Sequence, residues 1–241
     1  MIERAVLFAA GRGARLGDIT ATTPKPLLAV GGRPVIVRAL DGFARAGIRE
    51  VVVVTGYLGD HVEAELGNGA ACGMRLSYVR QTAPDGTAKA LLLARDALGE
   101  GPFAWAWADI VVPLETYRAV VRAAALADGA LAVNEVDDPA EGAAVYVADG
   151  LVSRIVEKPA PGTSSTRWNN AGIGVLGPAI WEHVAALEPS ARGEYELPRA
   201  IAAMVAAGAR LRAVPVEGPW SDIGTPASLA AAREHYARRG A

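Results

Sequence analysis

The chain has 241 residues, 51 % of them hydrophobic, and a formal net charge of −2, enough chain to bury one substantial core and no overall field to attract nucleic acid or an anionic membrane surface. Its single cysteine, Cys72, excludes an internal disulfide, and His61, His183 and His235 lack the spacing of a zinc site. No apolar run is long enough to span a bilayer, and MIERAVLFAA is too short an apolar stretch for a signal peptide, so a soluble cytoplasmic protein with no membrane partner is expected.

Residues 5–10 are a short continuous apolar run, the pattern of a strand covered on both faces. Residues 34–46 carry a helical stripe of Ile36, Ala39, Leu40, Phe43 and Ala44, with Pro34 suited to the first turn and Gly47 to the stop. Further along, 50–55 predicts a second buried strand, 61–66 a short helix, 74–80 a third strand, 87–98 a helix and 103–108 a fourth strand that ends at Asp109. Three βαβ units in a row imply a parallel sheet with right-handed crossovers. The second half is less regular: helix over 114–127, strand over 130–136, and a hairpin of 143–147 with 151–157 joined by Asp149-Gly150. A polar loop at 161–167 precedes a strand at 170–176, helices at 178–187 and 197–207, a strand at 211–216 and a helix at 226–238. No repeat or linker interrupts the chain, so a single domain over 1–241 is expected.

Between the first two elements lies Gly11-Arg12-Gly13-Ala14-Arg15-Leu16-Gly17, followed by Pro24-Lys25-Pro26. Small residues after a strand let backbone N–H groups approach a phosphate closely, and fixed positive charges complete such a cradle. Of 24 basic residues only Lys25, Lys89 and Lys158 are lysine, so a chain that otherwise writes arginine has kept a compact point charge beside the glycine run and at Lys158. A doubly wound sheet binds its ligand outside the carboxyl ends of the strands, where the strand order reverses. With an order beginning 3-2-1-4, strands one and four are neighbours, and Asp109 lies beside the cradle, where a carboxylate suits Mg²⁺ bridged to substrate oxygens.

These residues resemble the sugar-1-phosphate nucleotidyltransferases, and the resemblance runs through the whole chain. It is carried by Ala9-Ala10-Gly11-Arg12-Gly13-Ala14-Arg15-Leu16 with Pro24-Lys25-Pro26-Leu27-Leu28, by Gln81-Thr82-Ala83-Pro84-Asp85-Gly86-Thr87-Ala88, by Glu157-Lys158-Pro159, by Asn170-Ala171-Gly172-Ile173, by Gly193-Glu194-Tyr195-Glu196-Leu197 and by Trp220-Ser221-Asp222-Ile223-Gly224-Thr225-Pro226. The likeness is greatest to the thymidylyl- and uridylyltransferase branch. It implies an α/β, Rossmann-like doubly wound, mixed but mainly parallel sheet with a small sugar-side β lobe. It also implies a nucleotide-binding half at 1–112, a sugar-binding half at 113–225 and a closing helix at 226–239. The resemblance assigns Arg15 and Lys25 to catalysis, and Ala10, Gly11, Gly13, Gln81, Pro84, Gly86 and Thr87 to the nucleotide. Gly142, Glu157, Lys158, Asn170 and Gly172 fall to the sugar phosphate, and Asp109 and Asp222 to Mg²⁺. The implied substrates are a nucleoside triphosphate, dTTP or UTP, and a sugar 1-phosphate; monomer and homo-oligomer are both compatible. Ala14 stands where the family usually has Ser or Thr, and Ala108 where a Gly usually precedes the aspartate.

In the expected reaction a non-bridging oxygen of the sugar phosphate attacks the α-phosphorus and pyrophosphate leaves. The attacking phosphate is already anionic near pH 7, so no general base is needed, in keeping with the scattered histidines. Gln81 offers a donor and an acceptor edge, so its amide alone does not choose the base, and guanylyl or cytidylyl transfer is the alternative. Trp105, Trp107, Trp181 and Trp220 are expected to pack rather than stack on a base. A nicotinamide dehydrogenase would want Gly where Leu16 stands. A glycosyltransferase using nucleotide sugars would show a second aspartate two residues after Asp109, where Val111 stands. A non-catalytic nucleotide-sugar sensor is the remaining rival, opposed by retention of Lys25, Asp109, Lys158 and Asp222.

Overall fold

The computed structural model describes residues 2–238; the last residue of the segment expected at 226–239 lies outside them. Nine strands form one mixed sheet: β1 (Arg4–Ala9), β2 (Glu50–Thr55), β3 (Arg75–Arg80), β4 (Phe103–Trp107), β5 (Gly129–Glu135), β6 (Ala143–Ala148), β7 (Leu151–Glu157), β8 (Trp168–Leu176) and β9 (Leu211–Pro215). Their order is β3-β2-β1-β4-β8-β5-β9-β7-β6. The first four are parallel in the expected 3-2-1-4 arrangement, with Leu7 paired to Val53 on one side and Ala106 on the other. Beyond β4 the sheet turns antiparallel at β8 and curls until β6 meets β8 again at Asn169–Ala144. The hairpin strands β6 and β7 therefore belong to the same hydrogen-bonded sheet as β1.

Alternation places the two apolar faces under different helices. Ala5, Leu7 and Val53 pack beneath helix Val35–Arg45, whose buried stripe includes Ile36, Leu40 and Phe43, and beneath helix Glu115–Ala124 through Tyr117 and Val120. Val6, Phe8, Val54 and Trp105 face the other way, against Leu91, Trp181 and Ile201. A smaller core of Leu16, Val30, Val111, Ile223 and Leu229 fastens helix Pro226–Ala237 over two short ribbons, Ala29–Val30 with Arg33–Pro34 and Ile110–Val111 with Ser221–Asp222.

The longer elements fall within a few residues of where periodicity puts them, the short helix Ile19–Thr22 and the 3₁₀ turns having no counterpart there. The helix expected over 87–98 is two, Thr87–Leu93 and Arg95–Leu98, because the Ala94 N–H bonds back only three residues to the Leu91 carbonyl and tightens the turn. The ribbons have no counterpart in the sequence reading, since two-residue strands carry no period. The Asp149-Gly150 turn is as expected: both residues hold positive φ, 51° and 73°, as a two-residue hairpin turn of matching twist requires.

Candidate active site

A cavity of about 930 Å³ lies beside the carboxyl ends of β1, β3 and β4 and is closed by residues around the hairpin. That is toward the upper end of ligand-site volumes. Ala10, Gly11, Lys25, Gln81, Pro84, Gly86, Thr87, Asp109, Gly142, Glu157, Lys158, Asn170 and Asp222 all line it. Three residues expected at the site are not among those lining the cavity. Gly13, at φ 67°, is held to glycine by its backbone and by Lys25, whose Cβ would lie 3.2 Å from an added methyl. Gly172, at φ 81°, sits at a register shift in β8 and leaves room for the Trp107 ring, 2.4 Å from where its Cβ would be. Arg15 lies at the rim, held by Glu141 at 3.2 Å and by Asp222 at 4.0 Å. Gly13 and Gly172 thus shape the cavity from behind, and Arg15 reaches it only through its carboxylate partners.

The glycine turn is pinned from outside the cavity: Thr20 Oγ1 donates to the carbonyls of Gly13 and Gly17, both at 3.2 Å. Lys25 opens a single 3₁₀ turn, Lys25–Leu27, braced by Pro24 and Pro26. Its side chain is buried, and Nζ lies 2.5 Å from Asp109 Oδ2. Asp109 follows β4, and Asp222 is set next to it by the short ribbon, in which Asp222 pairs with Ile110 and the Ile223 N–H donates to the Asp109 carbonyl at 3.0 Å. The ribbon thus joins two segments more than a hundred residues apart into one acidic edge. Among the described residues no group of three or more His, Cys, Asp and Glu forms a metal cluster. Two half-exposed carboxylates that leave the rest of a shell to substrate and water are a donor set that fits Mg²⁺.

The loop after β3 is rigid for reasons the sequence did not display. Gln81 Nε2 donates to Asp85 Oδ1 at 2.8 Å and to the Gly86 carbonyl at 3.1 Å, so the side-chain carbonyl is the group left to accept. Gly86, at φ 110°, lines the cavity, and its lack of a side chain is required by the Tyr195 carbonyl, which a Cβ would meet at 2.4 Å. Thr87 Oγ1 accepts from Leu197 N–H at 2.8 Å, fastening this loop to the segment before helix Leu197–Ala206.

On the hairpin wall, Gly142 presses against buried Asn169: a Cβ there would stand 2.2 Å from Asn169 Oδ1, which accepts from Ala143 N–H at 3.2 Å. The Gly142 carbonyl in turn accepts from the Lys158 N–H at 2.8 Å and holds Lys158 at φ 42°, an uncommon conformation for a residue with a side chain. Asn170 is buried, and its Oδ1 accepts from Gly172 N–H at 2.9 Å. Burial pushes the Glu157 carboxyl up to about 7, against the opposing pull of Lys158 and Arg192. Arg192 lies 3.7 Å from Glu157 and is ion-paired with buried Glu196.

Arg192, Arg12, Tyr57, Glu141 and Asn169 line the cavity without having been singled out. Arg192 stands one residue before a segment that was, Gly193 to Leu197, so the signal was adjacent; Tyr57 and Asn169 carry none in sequence. Trp105 and Trp181 are buried packing residues as expected, whereas Trp107 and Trp220 both pack and line the cavity, with Trp220 Nε1 donating to the Ala171 carbonyl at 3.0 Å. Among the described residues no helix is long and apolar enough to cross a membrane.

The family profile described as nucleotidyl transferase matches residues 4–239. The chain is 35 % identical over 224 residues to a glucose-1-phosphate thymidylyltransferase of Streptomyces griseus, an alignment covering 92 % of this chain and 62 % of that protein. It is 31 % identical over 238 residues to a UTP–glucose-1-phosphate uridylyltransferase of Haloferax volcanii, covering 92 % of each. The first curated relatives are longer, and the chain spans 62 to 65 % of their length. A crystal structure of a UDP-glucose pyrophosphorylase complexed with UDP-glucose superposes with a TM-score of 0.87 at 23 % identity, covering 99 % of this chain and 100 % of the other, a likeness of fold. On the match across nearly its full length, this chain belongs to the nucleotidyl transferase family.

Proposed function

We propose that the chain joins a sugar 1-phosphate to a nucleoside triphosphate, dTTP or UTP, giving a nucleotide sugar and pyrophosphate, as a single cytoplasmic domain with a nucleotide half and a sugar half. The observation that carries this reading is that Lys25, Lys158, Asp109 and Asp222 line one cavity although the first and last are 197 residues apart (222 − 25). A non-bridging oxygen of the sugar phosphate forms the new bond to the α-phosphorus while the α–β bridging oxygen leaves on pyrophosphate. The nucleophile is an anion, so alignment and charge neutralisation are what the protein supplies. Ala10 and Gly11 bring backbone against the phosphates. Lys25 holds the α-phosphate and the attacking group, at about 4 kcal/mol of gross attraction for charges 4 Å apart at an effective dielectric of 20. Arg15 stands by for the β- and γ-phosphates once substrate draws it from Glu141.

Lys158 holds the sugar phosphate. Glu157 and Asn170 meet sugar hydroxyls on a wall whose shape Gly142 and Gly172 permit. Gln81, Pro84, Gly86 and Thr87 border the base, with the Gln81 carbonyl accepting a ring N–H. Asp109 and Asp222 would hold Mg²⁺, which when bound neutralises phosphate charge. Mixing the protein and Mg²⁺ with a panel of triphosphates and sugar phosphates, read by product mass, tests the reading. A nucleotide sugar formed fastest from dTTP or UTP is expected. No nucleotide sugar from any pair would overturn the reaction, and a tenfold preference for GTP or CTP would overturn the base.

A further inference from the structure

Five cationic side chains line the cavity: Arg12, Lys25, Arg80, Lys158 and Arg192. Three are already committed to carboxylates, Lys25 to Asp109, Arg80 to Asp60 and Glu63, and Arg192 to Glu196. Arg15, outside the lining, is held by Glu141 and Asp222. Of the five cations lining the cavity, only Arg12 and Lys158 have no ion pair with a described residue. Lys158 belongs to the hairpin wall. Arg12 belongs to the glycine turn, between Gly11 and Gly13, where small residues bring backbone close to an anion.

Arg12 is also held in place by an aromatic ring. Its guanidinium carbon stands 5.4 Å from the centroid of Tyr57, within the range of a cation–π contact. Tyr57 is tied at both ends, its N–H to the Ala10 carbonyl at 3.3 Å and its hydroxyl to the Ala21 carbonyl at 3.3 Å. Gly56 lets this loop press on the turn, since a Cβ there would lie 2.7 Å from the Ala10 carbonyl. The ring holds the guanidinium at the cavity edge and leaves its fork of donors for a ligand, so less ordering remains to be done on binding. An incoming polyphosphate need not displace a carboxylate to reach Arg12, as it must to reach Lys25 or Arg15.

We propose that Arg12, oriented by Tyr57, is the specificity residue for the terminal phosphates of the triphosphate, and hence for pyrophosphate in the reverse direction. The proposal rests on the nucleotidyl-transfer reading but is tested by binding, which needs no turnover. Titrations of UTP and UMP, and of dTTP and dTMP, into the wild type and into Arg12→Ala with Mg²⁺ present separate the terminal phosphates from the rest of the nucleotide. Arg12→Ala should weaken triphosphate binding about ten- to a hundredfold and leave monophosphate binding within about twofold, the scale of charge-assisted hydrogen bonds. Tyr57→Leu should show the same selective loss at smaller size, and inorganic pyrophosphate should follow the triphosphates. Unchanged melting of the exposed-site variant checks folding. Equal losses for mono- and triphosphate, a triphosphate change under twofold, or no triphosphate binding by the wild type would each overturn the role of Arg12. Selective loss in a protein that makes no nucleotide sugar would keep Arg12 and remove the reaction.

Discussion

The two walls of the cavity are built in different ways. The glycine-turn wall draws Ala9 to Arg12 from one unbroken stretch, adds Lys25 a short turn later and takes Gln81 to Thr87 from one loop. The hairpin wall takes Gly142, Glu157, Lys158, Asn169, Asn170 and Arg192 from four separate segments, brought together because the sheet curls until β6 meets β8. Each wall pairs one cation with an acid and leaves one without an ion pair, Lys25 with Asp109 beside Arg12 on the first and Arg192 with Glu196 beside Lys158 on the second. Only the second adds a strained backbone at Lys158 and a carboxyl that burial has made hard to ionise. A wall folded from contiguous chain depends on a few charges. A wall assembled from distant segments depends on packing among its uncharged parts.

Substitutions on the two walls should therefore fail in different ways. The largest effect belongs to the first. Lys25→Ala should lower the rate of pyrophosphate release about a hundredfold or more at saturating substrates, and a folded variant that loses less than threefold would take Lys25 out of the chemistry.

Next comes Glu157. Its folded pKa of about 7 lies above the ordinary 4.5, so the folded chain binds more protons than the unfolded chain between those values. The stability this group contributes is full below about pH 4.5 and is lost as pH rises to 7, by up to about 3 kcal/mol. Urea unfolding at pH 5 and pH 8 should show the wild type losing more stability over that interval than Glu157→Gln, and parallel losses would place the group in water.

The smallest effects come from a pair of glycines, one on each wall. Gly142→Ala drives a methyl into the Asn169 amide and should cost about 1–3 kcal/mol in thermal or urea unfolding. Gly11→Ala meets nothing within 4 Å, so stability should stay within about 0.5 kcal/mol while triphosphate binding weakens. If both variants unfold alike, the contrast between the walls is wrong.

Several features were legible in the sequence. Parallel pairing of the first four strands followed from continuous apolar runs separated by helical stripes, the 3-2-1-4 order was supposed from the doubly wound pattern, and the hairpin followed from Asp149-Gly150. Thirteen of the sixteen residues singled out for the site line the cavity (16 − 3). The exceptions share a cause. Gly13, Gly172 and Arg15 are motif neighbours of cavity residues, but a motif does not tell a residue that lines a cavity from one that gives space or partners to such a residue. Gly13 leaves space for Lys25, Gly172 leaves space for Trp107, and Arg15 is drawn aside by Glu141, 126 positions away. The ribbon that sets Asp222 beside Asp109 was likewise invisible, because it is only two residues long and its paired positions Asp222 and Ile110 are 112 residues apart (222 − 110).

Local periodicity, turn chemistry and a run of small residues before a buried lysine determined the elements, the parallel half of the sheet and the glycine-turn wall, because each depends on residues near one another in the chain. The curl that closes the hairpin wall, the ribbon joining the two aspartates and the division of cations into paired and unpaired were decided only by tertiary structure. They arise where side chains from distant segments compete for the same space and the same counter-charge, and no local pattern records which of them prevails.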